Sequence, residues 1–156
     1  MKLLLSGFSL IELVVVMALL SVLAVVAVFS WPGRSLDLDA QAHLLANDIR
    51  YLQATSMHRG QRYRLEVQAD RYTLSDRTGG IPLPHPGTGN SVVMLASGMA
   101  LAASNNTLVF DTEGAPYSDA NLPGTAQAGD NVLTLTVAGE SRQLRVSPET
   151  GRVLVQ

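Results

Sequence analysis

The chain has 156 residues, 47% hydrophobic, 15% charged and 5% aromatic, with a formal net charge of −2. That length suits one domain with a short appendage rather than two enzyme-sized domains, and the apolar content excludes intrinsic disorder. The absence of cysteine excludes disulfides, Cys-type zinc sites and thiol chemistry, and the near-neutral charge argues against a general nucleic-acid binder.

Residues 1–7 form a short leader whose one charge is Lys2, and residues 8–31 form an apolar run in which only Ser9, Glu12, Ser21 and Ser30 are polar. As a helix this run is about 36 Å long, enough for a bilayer core of about 30 Å. It exceeds the apolar core of a secretory signal peptide and lacks a strict Ala-x-Ala cleavage site, and so short a domain could hardly bury it as a core helix. Lys2 favours a cytoplasmic N-terminus, which puts everything after Trp31 across the membrane; Trp31 suits the interface, and Pro32-Gly33 marks a break or bend. Glu12 separates this run from a plain anchor. An acid at the centre of a membrane-spanning segment costs about 2.5–3.5 kcal/mol, less near the interface, and calls for a cation. Cleavage before Phe8 would create one, an α-amino group one helical turn from Glu12 in the same chain or a neighbour.

Residues 37–57 read as an amphipathic helix, with Leu38, Ala42, Leu45, Ile49 and Leu52 on one face, Asp37 or Asp39 favouring its start and Gly60 stopping it. The stripe is short for a coiled coil and suits a helix packed on its own sheet. Strands are expected at 63–67, 72–74, 91–95, 107–110, 132–137, 143–146 and 152–155. Between them lie a turn at Ala69-Asp70, a proline- and glycine-rich loop over 78–90, a closure over 111–116, a loop over 123–130, and turns at Gly139-Glu140 and 148–151. One amphipathic helix on about seven antiparallel strands is an α+β arrangement.

Catalytic spacing is missing. His43, His58 and His85 form no H-x-x-H pattern, and no P-loop, dinucleotide fingerprint or nucleophile elbow is present. Asp111, Glu113, Asp119 and Asp130 miss the EF-hand spacing and read as solvated turn carboxylates. Asn105-Asn106-Thr107 matches a glycosylation sequon. Ten of the eleven basic residues are arginine, with Arg59, Arg62 and Arg64 together and Arg142, Arg145 and Arg152 near the C-terminus. The latter three could contact phosphate from adjacent strands. Exposed strand charges that keep edges from aggregating are the plainer reading, with Asp70, Asp76, Glu140 and Glu149 as possible pairing acids.

Gly7-Phe8-Ser9-Leu10-Ile11-Glu12 resembles the Gly-Phe-Thr-Leu-Ile-Glu processing motif of type IV pilins and type II secretion pseudopilins, with serine in place of threonine. The resemblance implies that a prepilin peptidase cuts between Gly7 and Phe8 and methylates the Phe8 amine, and that Glu12 neutralises the terminal amine of an adjoining subunit during assembly. Gly60-Gln61-Arg62-Tyr63, Leu108-Val109-Phe110-Asp111 with Gly114, and Gly151-Arg152-Val153 resemble the globular domain of H-type minor pseudopilins and related minor pilins of type IV and mannose-sensitive-haemagglutinin-type pili.

The fold this implies is pilin-like, a long N-terminal hydrophobic helix packed on an antiparallel β-sheet domain. Its segments would be the leader 1–7, a transmembrane and assembly helix 8–31, an amphipathic continuation 32–60 and a periplasmic β-rich domain 61–156. The implied role is a non-enzymatic minor subunit without a cofactor or metal, single-pass in the inner membrane and then built into a pseudopilus or pilus, at its tip or in its initiation. Implied partners are prepilin peptidase, other major and minor subunits and the inner-membrane assembly platform. The resemblance also leaves open a membrane-tethered periplasmic module that captures an exoprotein or DNA. For DNA, some minor pilins of this family carry a C-terminal Gly-Arg-x-Arg segment, whereas here Gly151-Arg152 is followed by Val153-Leu154.

Overall fold

The computed structural model describes residues 9–29 and 33–156, with side chains described over 9–24 and 36–156. The chain divides into two compact units, one ending at Gly33 and the other spanning Arg34–Gln156. The first contains helix α1 (Leu10–Phe29).

The second unit is organised by helix α2 (Gly33–Arg59). Its stripe Leu38, Ala42, Leu45, Ile49 and Leu52 is wholly buried, joined by Ala46, as the helical spacing requires. Burying each of the leucines and the isoleucine contributes about 1.5–3 kcal/mol. The helix begins earlier than the pattern 37–57 suggests, so Asp37 and Asp39 lie inside it rather than at its cap. Its C-terminus is as expected. Gly60 adopts a left-handed φ of 61° and the Gln61 N–H donates to the Ser56 carbonyl at 3.3 Å, which is a Schellman closure.

Nine antiparallel strands follow: β1 (Tyr63–Val67), β2 (Arg71–Asp76), β3 (Val92–Met94), β4 (Met99–Ala103), β5 (Thr107–Phe110), β6 (Pro116–Tyr117), β7 (Asn131–Val137), β8 (Glu140–Val146) and β9 (Val153–Val155). They form two sheets, ordered β3-β2-β1-β5-β6 and β4-β7-β8-β9. In the first, Leu65 on β1 faces Leu74 on β2 and Leu108 on β5; in the second, Leu135 on β7 faces Leu101 on β4. These residues and the α2 stripe form one core. The helix packed on the antiparallel sheets is thus α2, while the apolar α1 belongs to the other unit.

The sequence reading misses β4 and β6. The β4 segment, Met-Ala-Leu-Ala-Ala, has little intrinsic strand preference and is set by its pairing with β7, with Met99 and Leu101 buried on alternate positions. The β6 strand is only two residues long and opens on Pro116, so it reads as part of a turn. The β7–β8 turn falls at Ala138-Gly139, one residue before the expected place. Val137 pairs with Glu140, and both turn residues have positive φ, 50° and 88°, as a two-residue hairpin turn requires.

Candidate functional site

Gly7 and Phe8, the expected cleavage and methylation positions, lie outside the described residues, as do the leader, Trp31 and Pro32. Glu12 is described. It sits in the first turn of α1, where its N–H and that of Leu13 donate to the Ser9 carbonyl at 3.0 and 3.2 Å. A carboxylate there is favoured by the partial positive charge of a helix N-terminus. Glu12 is the one charged residue of α1, and it forms no ion pair among the described residues.

Around it, large apolar side chains stand outward, from Leu10 at 82% exposure to Val16 at 46%. Side chains of α1 are described only as far as Ala24, and among the described residues no helix is long and apolar enough to cross a membrane. The described part of α1 is a helix with an apolar surface on all sides and one acid near its start.

Arg142 stands apart from Arg145 and Arg152. Arg142 shares one face of β8 with buried Leu144 and Val146, and its guanidinium holds Asp39 of α2 through Nε at 2.5 Å and Nη2 at 3.4 Å. Arg145 leaves the opposite face, where it meets Asp130 at 3.5 Å. Arg152 lines a surface groove with Arg145, Asp130, Ser147, Thr150 and Leu154. The acids that pair with Arg142 and Arg145 are therefore Asp39 and Asp130, both distant in sequence, and not Glu140 or Glu149.

Four other arginines, Arg59, Arg62, Arg64 and Arg77, serve the fold. Arg62 stacks over Tyr117, 4.4 Å from the ring centre, and donates to the Asn121 and Pro123 carbonyls at 3.1 and 2.6 Å. Arg77 donates to the Ala120 carbonyl at 2.8 Å, so these two fasten the segment after β6. Arg59 donates to the Tyr63 hydroxyl, and Arg64 bridges Ser75 and Glu66.

Three of the residues in the motifs quoted from the sequence, Phe110, Gly114 and Gly151, meet around one side chain. Gln53 of α2 donates from Nε2 to the Gly114 and Thr150 carbonyls, both at 2.8 Å, bolting the turns after β5 and β8 to the helix. Gly151, at φ 63°, leaves room for this: a Cβ there would lie 2.6 Å from Phe110 Cε1 and from Gln53 Nε2.

The turn acids close their own loops. Asp111 accepts from the Glu113 and Ala115 N–H groups, and Asp119 from those of Asn121 and Thr125. Hydrogen bonds from Thr125, then Asn121, hold the Asp119 carboxyl below the ordinary range. Thr78 and then the Ile81 N–H do the same for Asp76. Among the described residues no group of three or more His, Asp or Glu side chains could hold a metal ion. The Asn105 amide is engaged too, its Nδ2 donating to the Ser118 carbonyl at 2.7 Å and its Oδ1 accepting from the Thr107 N–H.

Sequence reasoning overlooked a buried polar cluster. Asp48 of α2, Tyr72 of β2 and His85 of the 78–90 loop are 3%, 0% and 7% exposed. Asp48 Oδ1 lies 2.7 Å from His85 Nε2, and its Oδ2 accepts from the Tyr72 hydroxyl at 2.5 Å. Desolvation raises the Asp48 carboxyl, opposed by Tyr72 and then His85, and the Tyr72 hydroxyl is pushed up by burial and by its bond to Asp48. The available signal was the position of Asp48 beside Ile49, on the buried side of the helical wheel.

Residues 6–28 match the prokaryotic N-terminal methylation motif, and residues 41–151 match the type II transport protein GspH. No curated protein sequence matches the chain significantly. Among solved structures, the fold is similar to that of the minor pseudopilin EpsH from the type 2 secretion system of Vibrio cholerae. That similarity has a TM-score of 0.58 at 14% identity, covering 77% of this chain and 96% of the other. The type IV minor pilin FimU of Pseudomonas aeruginosa gives 0.57 at 12% identity, covering 79% of this chain and 90% of the other. With its N-terminal methylation motif and a family match over most of its length, the chain belongs to the GspH family of pilin-like structural subunits.

Proposed function

We propose that the chain is a minor subunit of a type II secretion pseudopilus or type IV pilus. It is held in the inner membrane by α1 with the domain from Arg34 onward on the periplasmic side, and is placed at the filament tip or in its initiation. Prepilin peptidase cuts between Gly7 and Phe8 and methylates the new amine; Glu12 then receives that amine from a neighbouring subunit, and the assembly platform adds the subunit to the growing filament. The observation that carries this reading is an α-helix exposing apolar side chains on all sides around one carboxylate, within the stretch that matches the N-terminal methylation motif.

An apolar surface of this kind is satisfied by lipid or by other apolar helices, and a charge within it needs a counter-charge. Glu12→Val should leave cleavage intact but reduce co-purification with filament subunits by two orders of magnitude or more. An amine left uncompensated in apolar surroundings costs about 3–5 kcal/mol. Undiminished incorporation of the variant would refute this role for Glu12. DNA capture by Arg142, Arg145 and Arg152 gains less support, because Arg142 and Arg145 leave opposite faces of β8 and each is paired with a carboxylate.

A further inference from the structure

The Asp48–Tyr72–His85 cluster plays no part in the assembly reading, yet its proton positions follow from its geometry. His85 Nδ1 accepts from the Gly87 N–H at 2.9 Å and the Thr88 N–H at 3.2 Å, so it carries a lone pair. In a neutral imidazole the proton is then on Nε2, which donates to Asp48 Oδ1. Both carboxylate oxygens and both ring nitrogens are used, each acceptor facing donors.

The imidazole belongs to a loop with few other ties. Its first part pairs with the end of β2, Leu83 N–H to the Leu74 carbonyl at 3.0 Å and Asp76 N–H to the Ile81 carbonyl at 2.8 Å, with Leu83 buried in the core. Beyond Leu83, Pro84 and Pro86 have no N–H to give. The Tyr51 hydroxyl of α2 reaches the Pro84 carbonyl at 3.3 Å, and the remaining backbone bonds are internal, between His85 and Asn90 and between Gly89 and His85. Gly87 lets the chain close over the ring, since a Cβ there would lie 3.0 Å from His85 Cε1.

We propose that residues 84–90 are a proton-operated strap, held shut by neutral His85 between Asp48 and the Gly87 and Thr88 N–H groups, and released when Nδ1 is protonated. A proton on Nδ1 turns the acceptor into a donor that faces two donors, and both N–H groups lose their partner. The titratable groups facing the ring are Asp48 and, nearby, Tyr51 from α2, and Tyr72 from β2; β3 contributes none, and the loop itself offers only backbone N–H. Asp48 is the competing proton site. If the carboxylate took the proton, Nδ1 would keep its lone pair and the strap would stay closed. Release frees 84–90 from α2, so this face of the domain presents a different surface in an acidic compartment.

The test is a side-chain 15N correlation spectrum of the full chain in detergent micelles, with amide exchange read at Gly87 and Thr88, from about pH 8 down to about pH 5. The expected result is the Nε2–H tautomer at the alkaline end, then a loss of protection at both amides of at least about tenfold beyond the intrinsic change, in step with His85 titration. Core amides such as Leu65 and Leu135 should stay unchanged. His85→Asn keeps an acceptor but does not titrate, and its two amides should stay protected throughout; wild type alone decides if that variant fails to fold. An Nδ1–H tautomer, amides unmoved as the imidazole titrates, or the same acid response in His85→Asn would overturn the proposal.

Discussion

Every described side chain of α1 from Leu10 to Leu23 is exposed, whereas α2 turns Leu38, Ala42, Leu45, Ile49 and Leu52 inward until none has any accessible surface. Both segments are helical for the same backbone reasons, and both are rich in leucine or valine. What separates them is polarity: α2 surrounds its buried stripe with polar residues and can satisfy itself within one domain, while α1 is apolar all round and cannot. The contrast shows that the second unit is stabilised within the chain and the first by whatever surrounds it.

The contrast sharpens most through core truncation. Leu52→Ala removes a fully buried side chain and should lower the stability of the second unit by about 2–5 kcal/mol, whereas Leu20→Ala on α1 should leave its denaturant midpoint unchanged. A comparable loss from Leu20→Ala would break the division. Gly151→Ala should cost about 2–4 kcal/mol, because the residue holds positive φ and its Cβ would crowd Phe110 and Gln53. Thermal melts of Gly151→Ala and of Gln53→Ala, separately and combined, should show less than additive losses.

A smaller effect is expected at Arg142, whose pair with Asp39 is 32% and 45% exposed. Arg142→Ala should cost less than about 1 kcal/mol, and less again in high salt. The least is expected from Asp119, whose folded carboxyl lies below its ordinary range. A depressed acid adds stability above its unfolded value and loses it as pH falls through the folded one, so Asp119→Asn should flatten the acid limb of the stability curve below about pH 4 and change little at neutrality. A variant that is equally acid-sensitive would show that Asp119 does not titrate in this way.

The sequence makes periodic features legible. Alternation locates β1 and β7, the helical repeat locates α2, and Gly60 marks its end, because each depends on neighbours within a few positions. Relations across long separations are not legible. Nothing near Arg142 points to Asp39, and nothing in Pro84-His85-Pro86 points to Asp48, because those pairs form only when the sheets and α2 come together. The alanine-rich β4 escapes for the same reason, since its partner strand β7, not its own composition, makes it a strand. Glu12 stands out in the sequence because its context is chemical: one acid in an apolar run, five positions after a glycine.

On the proposed reading, α1 is buried among other helices after proteolysis has supplied an amine for Glu12. The most direct measurement is N-terminal sequencing with intact mass of the chain extracted from membranes or filaments. The expected first residue is Phe8 carrying one added methyl group; a chain that begins at Met1, or one cut beyond Ser30, would contradict the assembly role.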